Sequence, residues 1–517
     1  MNKKIQHIVV LGGGAAGWLS AGLLSAEHPD KQITLIESAN IAISGVGEGT
    51  WPSMRNTLKR IGIKEIDFLK HCDASFKQGS KFINWRNLNP GENYYHPFMT
   101  PQGYLETNLH AYWQQHAAAQ KYADALNMQS FICQAGLAPK QVTTPEYAAV
   151  TNYGYHLDAG KFASFLKEHC ENQLGVCHIV DDVVAVNNDD QGYIRSLTTK
   201  QHGDITGDLF IDCSGARGRL IAEHYNSAFI NQERTLFNNS AIAAHLPYTN
   251  EQQEIASATL STAQPHGWIW DIGLPSRRGI GYTYCDKYCD EHTAVALLKN
   301  YAAQSVGAEL AEQLHTRKLN FTPGYRKQFW IKNCIAIGMS QGFIEPLEAS
   351  ALAMVELSLT MLSEQMPQER KHMALLATRF NQRFSYRWQR VIDFLKLHYI
   401  LSERDDSQYW LDIKTAASTP PRLAELIKIW QYQPPSRFDF IENEEVFPSA
   451  SYQYVLYGMG FDTQTNKAKN TFNNPEIGHY FYQQNRKKIA QYLQALPTNR
   501  ALLKQLFEQT PDQKAHL

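Results

Sequence analysis

An excess of charge of one sign is what this sequence most plainly lacks: 49 Lys and Arg stand against 50 Asp and Glu, a formal net charge of −1. That balance leaves no electrostatic footprint for DNA, RNA or an anionic membrane, so nucleic-acid and membrane partners are not expected. Cysteine is also scarce, with 8 scattered through 517 residues. Their closest pair, Cys285 and Cys289, has only His292 nearby, short of the four ligands of a structural zinc, so neither a metal site nor a disulfide framework is expected. Beyond about residue 363, low-complexity tracts and internal repeats are missing too. The longest uncharged stretch, residues 8–26, imitates a signal peptide or a membrane span, but Gly12, Gly13 and Gly14 interrupt it where an apolar helix is required. A soluble cytoplasmic protein is the expectation. At about 150 residues per domain the length allows three or four folding units, enough for a large core.

The first informative pattern begins at His7. Residues 7–11, HIVVL, form a β-branched apolar run that predicts a buried parallel strand. The strand leads into Gly12-Gly13-Gly14-Ala15-Ala16-Gly17, and residues 18–25 then read as a helix of small and apolar residues. In that order G-x-G-x-x-G has a physical meaning: a tight turn at Gly12, close approach of a pyrophosphate at Gly14, and helix–strand packing at Gly17. A second strand at residues 32–36 ends at Glu37, 20 residues past Gly17, where a carboxylate accepts from ribose hydroxyls. The motif alone does not separate FAD from NAD. Residues 208–217 and 333–339 repeat the strand-to-glycine design later in the chain, as large flavoproteins do. The expected fold is therefore α/β: a Rossmann-like, three-layer FAD-binding module with an inserted β-sheet substrate region and a mostly helical C-terminal part.

Seven segments, in order, resemble the flavin-dependent halogenases of the tryptophan halogenase family. They are GGGAAGW at 12–18, GVGEGTWPS at 45–53, FKQGSKFINW at 76–85, YHPF at 95–98, GWIWDI at 267–272, FIEPLEAS at 343–350 and RDDSQYW at 404–410. The resemblance runs to about residue 411 and is weaker beyond. It implies an enzyme that uses FADH2, oxygen and a halide, bromide or chloride, to make hypohalous acid, which travels through the protein to an aromatic substrate. It also implies flavin contacts at Gly12, Gly14, Ala15, Gly17, Glu37, Gly47, Gly49, Val183, Gly338, Met339 and Leu352. No second dinucleotide fingerprint is present, so a separate flavin reductase is expected to supply FADH2.

The same resemblance singles out the reacting groups. Lys77 matches the family's essential lysine, which captures or polarises hypohalous acid as a haloamine or as a hydrogen-bond donor. Lys81, an even number of residues away, would share its face if the segment is one strand. Glu348, just before an apolar helix at 351–361, is placed to stabilise the arene cation and take its proton, with Glu345 structural. Ser350 and Ala351 correspond to the family's backbone halide cradle, although Ala349, Ser350 and Ala351 replace its commoner Ser, Thr and Gly. Trp268 and Trp270 form the W-x-W signature that keeps arenes from the flavin, and His96 and Phe98 match the rings that sandwich an indole. Taken singly, alternating tryptophans or neighbouring aromatics pack a core as readily as they line a tunnel.

Beyond residue 363 the chain reads as helical at 374–397 and 480–503, with Pro-containing loops at 418–422 and 433–437. The division expected is 1–365, an FAD-binding module with an interleaved substrate and halide region, and 366–517, a helical substrate-facing part. Residues 438–452 lack the contacts with which tryptophan-specific members hold the amino acid's charged groups. A small aromatic of indole type is thus expected in preference to free tryptophan. A directly hydroxylating flavin monooxygenase and a flavin-fold binding protein without turnover are the rival functions. The sequence leaves an oligomer open.

Overall fold

The computed structural model describes residues 4–41, 47–464 and 474–509. The chain forms two compact units: residues 1–74, 157–232 and 321–388 in the first, and 75–156, 233–320 and 389–517 in the second. Each unit is thus assembled from three separated stretches. The 28-residue helix Met373–Ile400 belongs to the first unit up to residue 388 and to the second from 389. The expected division at 365/366 follows composition, whereas these units follow spatial contact.

In the first unit His7–Leu11 lies between Gln32–Glu37 and Leu209–Asp212, parallel to both. Cys334–Ala336 and Cys177–Val180 extend the sheet in parallel on either side, and Trp330–Ile331 closes one edge antiparallel. Strand alternation sends Val9 and Leu11 to one face, where they meet Phe210, Ile194 and Leu197. Ile194 and Leu197 belong to the antiparallel sheet of Val183–Asn188, Ile194–Thr199 and Gly203–Thr206. Helices supply the third layer: Ala15–Glu27 contacts Ser53–Ile61, Ala159–Leu174 and Ser350–Glu364. The three-layer α/β module expected from residues 7–37 is therefore what forms. The uncharged stretch at 8–26 is its first strand, loop and helix.

The second unit is organised on a seven-stranded sheet in the order Thr316–Asn320, Ser240–Pro247, Arg277–Tyr284, Gly267–Gly273, Thr259–Gln264, Gly79–Ile83 and Asn93–Pro97. All neighbours are antiparallel except Thr259–Gln264 with Gly79–Ile83. One face is covered by Glu291–Val306 over Ile242, Ile269, Ile280 and Tyr282. The helix expected at 480–503 is two helices, Pro475–Ala495 and Asn499–Gln509. Pro497 separates them, since it lacks the N–H a continuous helix needs. Among the described residues no helix is long and apolar enough to cross a membrane, and no cluster of His, Cys, Asp and Glu could hold a metal.

Candidate active site

The nucleotide loop sits where the first strand ends. The Ala15–Glu27 helix starts at Gly14 without a side-chain cap and without an acidic residue in its first turn, so its leading amides are left to an anion. A Cβ on Gly14 would meet no atom within 4 Å, whereas one on Gly17 would lie 1.8 Å from the Gly12 carbonyl oxygen. The loop is therefore open where a pyrophosphate would lie and closed where helix meets strand. Glu37, the last residue of its strand, abuts the loop at Gly13 and is paired with His178 Nε2 at 2.8 Å and Lys167 Nζ at 3.6 Å.

Gly338 and Met339 form a short turn after Cys334–Ala336, Val183 opens its strand, and Gly47 and Gly49 bound a three-residue strand. Residues 45 and 46 of the GVGEGTWPS segment lie outside the described residues. An uncapped helix start, open space at Gly14 and an acceptor at Glu37 fit a flavin dinucleotide.

The Glu348 segment belongs to the same unit. Glu348 and the next residue, Ala349, have φ of 64° and 55°, two consecutive non-glycine residues in the left-handed region. Such conformations cost about 1–2 kcal/mol each and persist only where the surroundings impose them. Here the Trp51 indole N–H donates to the Glu348 carbonyl at 2.7 Å. The Ser350–Glu364 helix follows at once. Its N-cap, Ala349, has no side-chain acceptor, so the amides of Ser350, Ala351 and Leu352 start the helix uncapped. The predicted helix thus begins one residue earlier than 351. Glu348 itself is buried.

In the second unit the condition under which Lys77 and Lys81 would share a face is not met. Ser75–Lys77 and Gly79–Ile83 are separate strands in different sheets. Gly79 has φ +149°, and a Cβ there would lie 2.4 Å from the His96 carbonyl oxygen, so the chain turns where only glycine fits. Lys77 is 1% exposed, with Nζ 5.4 Å from the Phe98 ring centroid, while Lys81 is half-buried over Tyr95. The two lysines do not share a face of one strand.

His156 was not signalled by the sequence. It pairs with Ser75 across the antiparallel strand that also sets Lys77 opposite Gly154, which puts it diagonally across from Lys77 on the same face. Its Nε2 is 2.8 Å from Thr259 Oγ1. Burial, and secondarily the charge of Lys77, push it well below the usual imidazole value, so it is neutral. Its only signal is a pairing across 81 positions (156 − 75), which local pattern does not show.

The aromatic candidates lie on the same unit. His96 Nε2 is 2.9 Å from Ser451 Oγ, and its ring faces Phe394 at 5.5 Å, Tyr454 at 6.1 Å and Phe447 at 6.5 Å. Phe98 follows one residue after Pro97 and is half-buried, with its N–H bonded to Gln78 O at 3.1 Å. Trp268 and Trp270 point to one side of Gly267–Gly273, rings 6.3 Å apart. Trp268 also meets Trp85 at 6.1 Å, and Trp85 touches Tyr399 and Trp410, so Trp268 has core neighbours.

Comparison with known proteins places this geometry. The family model for tryptophan halogenase matches residues 7–474. Tryptophan 6-halogenase SttH of Streptomyces toxytricini is 33% identical over 477 residues, covering 88% of this chain and 89% of that protein. The crystal structure of a tryptophan halogenase from Shewanella frigidimarina NCIMB 400 superposes with a TM-score of 0.94 at 46% identity, over 98% of each chain. BrvH, a flavin-dependent halogenase from Brevundimonas sp. BAL3, gives 0.84 at 29% identity, over 97% of this chain and 99% of that one.

Proposed function

The chain belongs to the tryptophan halogenase family, and from that premise we propose that it halogenates a small aromatic of indole type, with Lys77 and Glu348 as its reacting side chains. FAD would be held by Gly12, Gly14, Ala15, Gly17, Glu37, Gly47, Gly49, Val183, Gly338, Met339 and Leu352. When reduced it supplies, with oxygen, the oxidation of halide to hypohalous acid. The uncapped amides at Ser350 and Ala351 are the donors for bromide or chloride.

The observation that carries this reading is the environment of Lys77: a buried amine over the Phe98 ring, beside a neutral His156. An ammonium shielded from water donates strongly to the oxygen of a small neutral acid and polarises its oxygen–halogen bond. The arene, held by His96, Phe98 and the rings of Phe394 and Phe447, takes the halogen and becomes cationic, while the oxygen left behind takes the ammonium's proton and departs as water. The Glu348 carboxylate stabilises that charge and accepts the ring proton. Trp268 and Trp270, both buried, would keep the arene from the flavin.

Residues 438–452 contain no Lys, Arg or His and four carboxylates, so this segment offers no cation to pair with an amino acid's carboxylate. That supports indole over free tryptophan. We further propose a separate flavin reductase as electron source, a cytoplasmic location, and a functional division in which 1–365 carry cofactor and halide chemistry and 366–517 face the substrate. The test is mass spectrometry of indole incubated with the protein, a reductase, FAD, NADH and bromide. A gain of one bromine is the expected product. A gain of one oxygen would establish the hydroxylase instead, and a tryptophan preference in competition would remove the substrate assignment.

A further inference from the structure

We propose that Glu356, a residue with no part in the family signature quoted above, is a positioning residue: it braces the left-handed Glu348 turn against the Ser53–Ile61 helix. The proposal rests on the reading that Glu348, Ser350 and Ala351 carry the proton and halide chemistry. Two helices are tied at both ends of one short span. At one end Trp51, two residues before Ser53, donates to the Glu348 carbonyl at 2.7 Å. At the other end, two turns along the helix that begins at Ser350, the buried Glu356 carboxyl accepts from Thr57 Oγ1 at 2.5 Å and from Ser53 Oγ at 3.0 Å.

Both ties join the same pair of elements, so releasing Glu356 frees the segment that carries Trp51 and, with it, the contact that holds Glu348 in an unfavoured conformation. The charged group facing Glu356 is Arg60 on the Ser53–Ile61 helix. Arg60 is engaged at 2.6 and 2.9 Å by the two oxygens of Glu27 on the Ala15–Glu27 helix, and donates to Thr360 at 2.9 Å. Glu27 also accepts from Ser363, which His28 contacts at 2.9 Å. No cation therefore bonds to Glu356 directly among the described residues.

Burial pushes Glu356 up from the ordinary 4.5 to about 7, against the smaller opposing pull of Thr57, Ser53 and Arg60. Opening the brace to water returns the carboxyl to its ordinary value. The closed form is thus favoured by protonation and weakens as pH rises from 4.5 to about 7, with no further change above. Glu356→Gln keeps one acceptor and the shape but cannot ionise, and Glu356→Ala removes both contacts.

The experiment combines hydrogen–deuterium exchange of residues 346–352 in the full chain, corrected for intrinsic rates, with bromide KM in the complete halogenation assay, both between about pH 5 and pH 8. In the parent protein, exchange and bromide KM are expected to rise with pH up to about 7 and then level off, and in Glu356→Gln both stay flat. In Glu356→Ala, exchange rises about tenfold and bromide KM at least fivefold, with kcat changed less. Unchanged exchange in Glu356→Ala, or the parent's pH profile persisting in Glu356→Gln, overturns the proposal. If Glu356→Ala does not fold, the Glu356→Gln profile alone decides. Glu348→Gln is the separate control. Undiminished halogenation there overturns the role of Glu348, while the exchange data still judge the brace.

Discussion

Replacing Lys77 by Met separates the making of hypohalous acid from its use. The substitution keeps the length of the side chain and removes the ammonium, whose structural contributions oppose each other. The contact over Phe98, 5.4 Å from the ring centroid, is worth about 2 kcal/mol when desolvated. Holding a cation at 1% exposure costs several kcal/mol before its partners offset it. The net effect on stability is therefore small, a Tm within about 3 °C of the parent. Removing a single donor aimed at the reacting atoms costs about a hundred- to a thousandfold in rate. FAD affinity should not change, because the glycine loop and Glu37 belong to the other unit. Three assays on one preparation then decide: thermal unfolding, FAD titration, and paired measurement of arene product and of free hypohalous acid trapped by a small, easily brominated scavenger. The expected pattern is an intact fold, intact FAD binding, continued scavenger bromination and arene product reduced at least a hundredfold. Arene halogenation above about a tenth of the parent rate would falsify the assignment of Lys77.

Four further outcomes follow from other parts of the molecule. Gly17→Ala places a Cβ 1.8 Å from the Gly12 carbonyl oxygen, so it should lower the unfolding midpoint, while Gly14→Ala, whose Cβ meets no protein atom but enters the space left for a pyrophosphate, should keep the fold and lower FAD affinity by titration at least about tenfold. Lys396 is buried and donates to Thr235 O at 2.9 Å, Ile413 O at 2.5 Å and Ser418 Oγ at 3.0 Å, so Lys396→Met removes three hydrogen bonds and should lower stability by about 3 kcal/mol in urea unfolding. Glu356 is raised above its unfolded value, so its ionisation opposes folding, and its contribution to stability is greatest below 4.5 and falls up to about pH 7. Glu356→Gln should accordingly gain up to about 3 kcal/mol on the parent at pH 8 relative to pH 5, and a pH-independent difference contradicts the linkage. His156→Phe removes the neutral neighbour of Lys77 and should alter the pH profile of arene halogenation without changing hypohalous acid release.

What could be read from the sequence, and what could not, divides by the range of the interactions involved. The strand, loop and helix at 7–27 were legible because each element is specified by its own residues: β-branched apolars, then glycines, then small helix formers. Glu37 was legible because a βαβ unit has a fixed length. The boundary between the strands of Lys77 and Lys81 was not. Alternation reads both lysines onto one face, and only the approach of the His96 carbonyl, from a strand 14 residues on (93 − 79), explains why Gly79 must turn the chain. The strain at Glu348 and Ala349 was equally hidden, since neither residue type announces a left-handed backbone, and the contact that fixes it comes from Trp51, 297 positions away.

His156 and Glu356 were missed for the same reason, and they share a chemistry. Each is a titratable group buried by partners remote in sequence, His156 by the strand of Lys77 and Glu356 by the helix that follows Trp51. The motif segments name the groups that would react, while the residues packed beside them are chosen by tertiary contact. A lysine transplanted with its motif into another strand environment would therefore lack the buried histidine and the aromatic ring that surround Lys77 here, and with them the setting on which its proposed role depends.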